Sequence, residues 1–220
     1  MGNTLTEEKG FYKSILTIAL PIAMQNLISN SLNMVDTMMI GKLGVTEIAA
    51  VGLANQYFFF FALILFGINS GAGIFIAQFW GQKDVLNIRR MLGLALITGT
   101  SIAMIFTIGG FFMPERILRL FLKNSDVIKL GSDYLRIVCF SYMLNTISFA
   151  FAFACRCIGK ARVPMYVSMI ALLSNTFLNY LLIFGNFGFP QMGVKGAAIA
   201  TVIARAIELI LILGIIYNEK

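Results

Sequence analysis

Histidine is absent from the 220 residues of this sequence, and only 12% of them carry charge. Soluble domains have roughly 25% charged residues and need them to cover their surface. The sequence is instead 59% hydrophobic, which excludes a soluble domain. Because histidine is missing and Cys139, Cys155 and Cys157 form no CxxC pair, we expect no zinc site. The pattern favours a buried, apolar role for these three thiols.

Recognisable catalytic motifs are missing as well. The sequence has neither a glycine-rich phosphate loop ending in Lys-Ser/Thr nor paired carboxylates at a workable spacing. We therefore expect no enzyme and no cofactor.

Long uncharged intervals separate the clusters of charge. The longest contain 35 residues (48–82) and 32 residues (163–194), whereas about 20 apolar residues cross a bilayer. Their apolar runs are continuous rather than alternating, which favours helices over a β-barrel. The sequence predicts an all-α polytopic membrane protein, a six-transmembrane-helix bundle forming one lobe over residues 1–220. Its helices are predicted near 11–40, 47–80, 85–113, 127–158, 163–185 and 195–217.

Charged residues between the spans indicate the orientation. Nine lysines and arginines fall on the side of the termini and seven on the other side, which favours cytoplasmic termini in a multi-pass protein of the cytoplasmic (inner) membrane. The segment Pro114–Lys123 is predicted to be a short amphipathic helix lying in the interface. The net charge of +7 favours anionic lipid headgroups as a partner over nucleic acid.

An acidic residue, Asp36, lies near the end of the first span. A carboxylate within a membrane is costly and normally faces a protein interior or a water-filled cavity. Gln25, Ser29 and Asn33 precede it by eleven, seven and three residues, so the four share one helical face. This face predicts a polar pocket, with hydration of Asp36 at headgroup level as the alternative.

Two later spans also carry polar faces. Ser168, Asn175 and Asn179 share one face of the fifth span, where they could line a site or bind neighbouring helices together. Arg205 and Glu208 lie on the Thr201 face of the sixth span. We predict that Arg205 and Glu208 pair with each other, which leaves Thr201 as an oxygen ligand.

Four segments resemble the amino-terminal half of multidrug and toxic compound extrusion (MATE) transporters. Met34–Gly41, after a proline-containing helix, is similar to the first helix of that family. Arg156–Met165 resembles its connection from helix four to helix five, and Asn175–Gly185 resembles its fifth helix. Gly193–Thr201 resembles the start of its sixth helix. The resemblance thus covers essentially the whole chain.

This resemblance implies a proton- or sodium-coupled antiporter that exports organic cations. The family's cation site maps onto Asp36, Asn175, Asn179 and Thr201, which would hold H⁺ or Na⁺. Many relatives have aspartate at the position of Asn179, so this site would have one carboxylate instead of two.

Family members have twelve helices in two lobes, whereas six are predicted here. The resemblance therefore implies a fragment, an excised amino-terminal lobe, or half of a two-chain transporter, and a second six-helix lobe as partner in cis or as a separate chain. Two alternatives are a lipid-linked saccharide flippase of the same superfamily and a non-transporting membrane scaffold subunit. The flippase would need a more cationic cavity, for which Arg205 is the one candidate.

Overall fold

The computed structural model describes residues 19–27 and 34–218, and within these residues the regular structure is helical. Residues 19–27 and 34–41 are helical and are called here the N-terminal segment. The predicted positions Ser29 and Asn33, and residues 11–18 of the predicted first helix, lie outside the described residues.

Seven α-helices follow the N-terminal segment. They are α1 (Val45–Gly81), α2 (Val85–Phe112), α3 (Pro114–Arg119), α4 (Ser125–Val138), α5 (Ser141–Cys157), α6 (Arg162–Phe184) and α7 (Gly193–Asn218), with a 3₁₀ turn at Asn186–Gly188 before α7. Among the described residues, α1, α2, α6 and α7 are long and apolar enough to cross a membrane. The pair α4 and α5 makes a fifth span if it is counted as one.

Local sequence explains where several helices begin and end. The Asp84 carboxylate caps α2 by accepting the backbone N–H of Asn87 at 3.1 Å. Together with the bond from the Asn87 side chain, this bond lowers the pKa of Asp84 from its usual value. The Asn124 side chain caps α4 in the same way. Gly185 ends α6 in the left-handed conformation, at φ 71°, that glycine adopts without a steric penalty.

The predicted continuous helix over 127–158 is wrong, because α4 and α5 meet at a bend of 53°. Side chains satisfy carbonyl groups at this break. The Ser141 hydroxyl donates to the Val138 carbonyl at 2.6 Å, and Thr107 of α2 donates to the Cys139 carbonyl at 3.0 Å. A helix forms within the segment Pro114–Lys123, for which an interfacial helix is predicted, and it ends at Arg119.

Aromatic side chains fill the core between α1, α2 and α5. The rings of Phe61 and Tyr142 stack with centroids 4.9 Å apart, and both residues are fully or almost fully buried. Tyr57 packs on Phe106 and donates its hydroxyl to the Phe106 carbonyl at 3.0 Å. Cys139 and Cys155 are buried, as predicted, and Cys157 is half-buried.

Helices α6 and α7 pack closely along their length. They approach closely at Gly196, where a β-carbon would lie 2.6 Å from the Leu182 carbonyl oxygen.

Candidate functional site

A cavity of about 470 Å³ lies between the N-terminal segment and α1, α4, α5, α6 and α7. Its wall includes all four residues of the predicted cation site, Asp36, Asn175, Asn179 and Thr201. These residues come from three separate stretches of the chain, and the fold brings them to one cavity.

Asp36 and the two asparagines are joined by hydrogen bonds. The Nδ2 group of Asn179 donates to Asp36 Oδ1 at 2.9 Å and to Asn175 Oδ1 at 3.3 Å. Asn179 is 2% exposed, and its Oδ1 atom has no hydrogen-bond partner among the described residues. A buried amide oxygen without a partner is unfavourable on its own and available to a cation.

Thr201 completes the group from α7. Its hydroxyl donates to the Ala197 carbonyl of the preceding turn at 3.0 Å. The Thr201 side chain also interacts with the Tyr134 hydroxyl. Because a hydroxyl oxygen has two lone pairs, the Thr201 oxygen can still ligate a cation. The arrangement supplies carboxylate, amide and hydroxyl oxygens, which are the ligands that hard cations prefer.

A second polar group lines the same cavity through Ser168, Arg205 and Glu208. Arg205 Nη1 donates to Glu208 Oε2 at 2.7 Å, which confirms the predicted pairing. The Ser168 hydroxyl donates to Glu208 Oε1 at 3.1 Å.

Gln25 reaches this second group from the N-terminal segment. It is buried, and it is not among the residues of the cavity wall. Its Nε2 donates to the Ser168 hydroxyl at 2.8 Å, and its Oε1 accepts Arg156 Nη2 at 2.9 Å. Arg156 belongs to the last turn of α5, and sequence reasoning missed its bond to Gln25 because local spacing does not show which helices pack together.

Sequence reasoning also missed the tyrosines of the cavity. Tyr134 of α4 and Tyr142 of α5 line it, and Tyr134 interacts with the Thr201 side chain. The Tyr142 hydroxyl is buried without a partner among the described residues. The sequence did contain a signal for these two residues. A tyrosine inside an apolar span usually directs its hydroxyl to a polar partner, which indicates a polar site nearby.

Membrane-length apolar helices around a polar cavity define a class of protein, the polytopic membrane transport proteins. Residues 21–181 match the MatE family model. A probable multidrug resistance protein NorM of Agrobacterium fabrum is 31% identical over 211 residues, which are 95% of this chain and 45% of that protein. The probable multidrug resistance protein YoeA of Bacillus subtilis is 28% identical over 210 residues, which are 95% of this chain and 45% of that protein.

Solved structures share the fold. The MATE multidrug transporter DinF-BH superposes with a TM-score of 0.87 at 25% identity, over 94% of this chain and 46% of that chain. The Vibrio cholerae MATE transporter VcmN in its bent form also gives a TM-score of 0.87, at 21% identity, over 97% of this chain and 48% of that chain. This chain belongs to the MatE family. It spans about 45% of the length of the curated relatives that it matches.

Proposed function

We propose that this chain is the amino-terminal lobe of a proton- or sodium-coupled antiporter that exports organic cations across the cytoplasmic membrane, with its termini in the cytoplasm. The observation that carries the proposal is the Asn179 amide, which holds Asp36 through Nδ2 while its own Oδ1 stays buried and without a partner among the described residues. A bound cation would supply that missing partner.

The ligand set favours an ion of single charge. Asp36 is its one formal negative charge, and Asn175, Asn179 and Thr201 contribute neutral oxygens. Sodium would be held by these oxygens together, whereas a proton would bind Asp36 alone. Either ion neutralises the carboxylate, so both are compatible with the same coupling scheme.

Coupling follows because Asp36 is a ligand for both the ion and the substrate. Asp36 lines the cavity in which an organic cation would be held, and it also belongs to the N-terminal segment. An organic cation and the coupling ion would therefore compete for one carboxylate. Neutralising Asp36 would also weaken its charge-assisted bond from Asn179 and change the packing of the N-terminal segment on α6.

Transport across the membrane needs a second lobe, because alternating access is a movement of two halves around a shared site. A chain that spans 45% of its relatives would supply one half. The partner in this proposal is a second six-helix lobe, in cis or as a separate chain.

Flux measurements in sealed vesicles test the proposal. Vesicles containing this chain together with a second six-helix lobe would be loaded with the organic cation tetraphenylphosphonium, and export would be followed under an imposed H⁺ or Na⁺ gradient. We expect one of the two gradients to drive export, and Asp36→Asn to reduce the rate at least about tenfold. Transport by Asp36→Asn at the wild-type rate would contradict the proposal. Asp126→Asn is the matched control, since Asp126 is an exposed carboxylate at the start of α4.

A further inference from the structure

Helix α2 has an exposed stripe along its length, opposite the face that packs on α1 and α5. The packed face consists of small, buried residues, namely Ala95, Gly99, Ala103 and Gly110. The exposed stripe begins with Leu86, Arg90, Leu94 and Ile97 and continues at the same spacing of three or four residues to Phe112. Because α2 is long and apolar enough to cross a membrane, this stripe is the side of α2 that meets lipid.

Arg90 interrupts this apolar stripe near its start. Its neighbours in the stripe, Leu86 and Leu94, are 60% and 55% exposed. The rest of α2, residues 91–112, has no charged side chain. At 1.5 Å per residue it is about 33 Å long, which matches a hydrocarbon core roughly 30 Å thick. Arg90 therefore lies at the boundary of the core, at the depth of the phospholipid phosphates.

The guanidinium of Arg90 is directed towards the start of α2. Its Nη1 donates to Asn87 Oδ1, almost one turn nearer the helix start, at 3.2 Å. Arginines at the ends of membrane helices have this orientation, with the stem along apolar surface and the charged group towards water. Among the described residues, the bond to Asn87 is the one that the Arg90 side chain donates. A guanidinium has five N–H donors, so the others can bind an anion in a forked geometry.

Positive charge is in excess at this end of α2. Arg89 and Lys83, which lies in the turn between α1 and α2, are exposed like Arg90. The one carboxylate among residues 80–90 is Asp84, and its two oxygens accept from the backbone and the side chain of Asn87, at 3.1 Å and 2.6 Å. The ion pairs within the described part of the chain include none of the three cations. Three cations and one carboxylate leave a net charge of +2, which is complementary to an anion.

Trp80 lies at the same end of the bundle. The backbone N–H of Asp84 donates to the Phe79 carbonyl at 2.9 Å, so the end of α1 is beside the start of α2. Trp80 is 47% exposed, and tryptophan is enriched where a membrane meets water. It is also the one tryptophan of the 220 residues, which makes its fluorescence specific for this end of the protein.

We infer that the start of α2 is a binding surface for an anionic phospholipid. Arg89 and Arg90 bind the headgroup phosphate, and Leu86 and Leu94 contact the acyl chains. Charge complementarity selects an anionic headgroup, and the continuity of Arg90 with the lipid-facing stripe selects a lipid over a soluble anion. In the orientation proposed above, this lipid belongs to the cytoplasmic leaflet. The surface lies outside the cavity, so the inference does not depend on which substrate the cavity holds.

Quenching of Trp80 fluorescence by spin-labelled lipids tests this surface. The purified full chain would be reconstituted in bilayers of dioleoylphosphatidylcholine, with an increasing fraction of a lipid that has a nitroxide on carbon 5 of one acyl chain. The labelled lipid would have either a phosphatidylglycerol or a phosphatidylcholine headgroup. We expect half-maximal quenching at an about fivefold lower fraction of labelled phosphatidylglycerol, the ratio that one arginine near an anionic lipid surface contributes.

Three variants identify the source of the preference. Arg89→Gln/Arg90→Gln should bring the ratio between the two lipids to about one. Arg89→Lys/Arg90→Lys keeps both charges at the interface and should retain most of the preference. The matched control is Arg116→Gln/Arg119→Gln, which removes two exposed arginines from α3, beyond the other end of α2. This control should leave the fivefold ratio unchanged.

Equal quenching of the wild-type chain by the two lipids would overturn the inference, as would a fivefold ratio that survives in Arg89→Gln/Arg90→Gln. An equal loss of preference in the α3 control would also overturn it, because net charge rather than this surface would then select the lipid. If the double glutamine variant does not fold, Arg90→Gln alone decides, since its ratio should be lower than that of the wild-type chain. Inorganic phosphate added at constant ionic strength should not relieve the quenching, and relief would assign the surface to a soluble anion instead.

Discussion

The Asn179 side chain connects the acidic residue of the cavity to α6. Its Nδ2 group bonds to both Asp36 and Asn175, and its Oδ1 atom is left buried and without a partner among the described residues. The amide therefore has two roles in the proposed site. It orients the carboxylate, and it supplies an oxygen ligand of its own.

Removing this amide should weaken binding of the coupling ion. We expect Asn179→Ala to reduce ion affinity about ten- to hundredfold, because a hydrogen bond to a charged group contributes roughly 1.5–3 kcal/mol. The measurement is isothermal titration of the purified chain with NaCl at fixed pH and with acid at fixed Na⁺.

Asn69→Ala is the matched control for this prediction. Asn69 is buried at 3% exposure, and it donates to the Leu65 carbonyl of its own helix, away from the cavity. Equal loss of ion affinity in the two variants would show that any buried amide has the same effect, against the role given to Asn179.

The polar faces were predictable from residue spacing, whereas the partners were not. Because helical periodicity is regular, Asn175 and Asn179 could be assigned to one face from the sequence. The bonds from Arg156 to Gln25 and from Ser168 to Glu208 join residues 131 and 40 positions apart. Such pairs depend on how helices pack, and local spacing contains no information about that packing.

At the scale of the helix, Gly196 sets the distance between α6 and α7. We expect Gly196→Ala to destabilise the chain by about 1–3 kcal/mol, the usual cost of overpacking, because the added carbon would meet the Leu182 carbonyl oxygen at 2.6 Å. It should also weaken ion binding, since Asn179 and Thr201 would separate. Thermal unfolding and ion titration in detergent measure the two effects.

Gly214→Ala is the control on the same helix. A β-carbon at Gly214 would meet nothing within 4 Å among the described residues, and alanine favours a helix over glycine by about 1 kcal/mol. Its unfolding temperature should therefore stay constant or rise. A loss as large as that of Gly196→Ala would contradict the close approach at Gly196.

The bend between α4 and α5 is held from outside by Thr107. We expect Thr107→Val to lower stability by about 1 kcal/mol, the contribution of one hydrogen bond, and to displace the cavity residues Tyr134 and Tyr142. The unfolding temperature reports the first effect, and quenching of tyrosine fluorescence reports the second.

Thr98→Val on the same helix should change neither quantity, because the Thr98 hydroxyl bonds to carbonyls of its own helix. An unfolding temperature and tyrosine quenching that stay unchanged in Thr107→Val would contradict the role given to Thr107.

The sequence predicted one continuous helix over α4 and α5 because its apolar run is unbroken. The run does not reveal that hydroxyl groups of Thr107 and Ser141 satisfy carbonyls at a bend.

At the scale of the whole molecule, the described residues form a bundle of helices. The chain belongs to the MatE family and spans 45% of the length of its relatives. The prediction of membrane-spanning helices followed from the uncharged intervals, and five of the six predicted spans coincide with helices or with the bent pair α4–α5. The first predicted span is described in part, by residues 19–27 and 34–41. Charge intervals sufficed because a bilayer requires continuous apolar helices.

In the proposed mechanism, the coupling ion and the organic cation share one carboxylate, Asp36. Competition between the two ligands at equilibrium tests this sharing. Tetraphenylphosphonium binding to the purified chain in nanodiscs would be measured while Na⁺ replaces N-methylglucamine at fixed pH, and then while pH falls at fixed Na⁺. We expect one ion to raise the apparent Kd of the wild-type chain in proportion to its concentration, and neither ion to affect the weaker binding by Asp36→Asn. Wild-type binding that responds to neither ion, or an unchanged response in Asp36→Asn, would contradict the account.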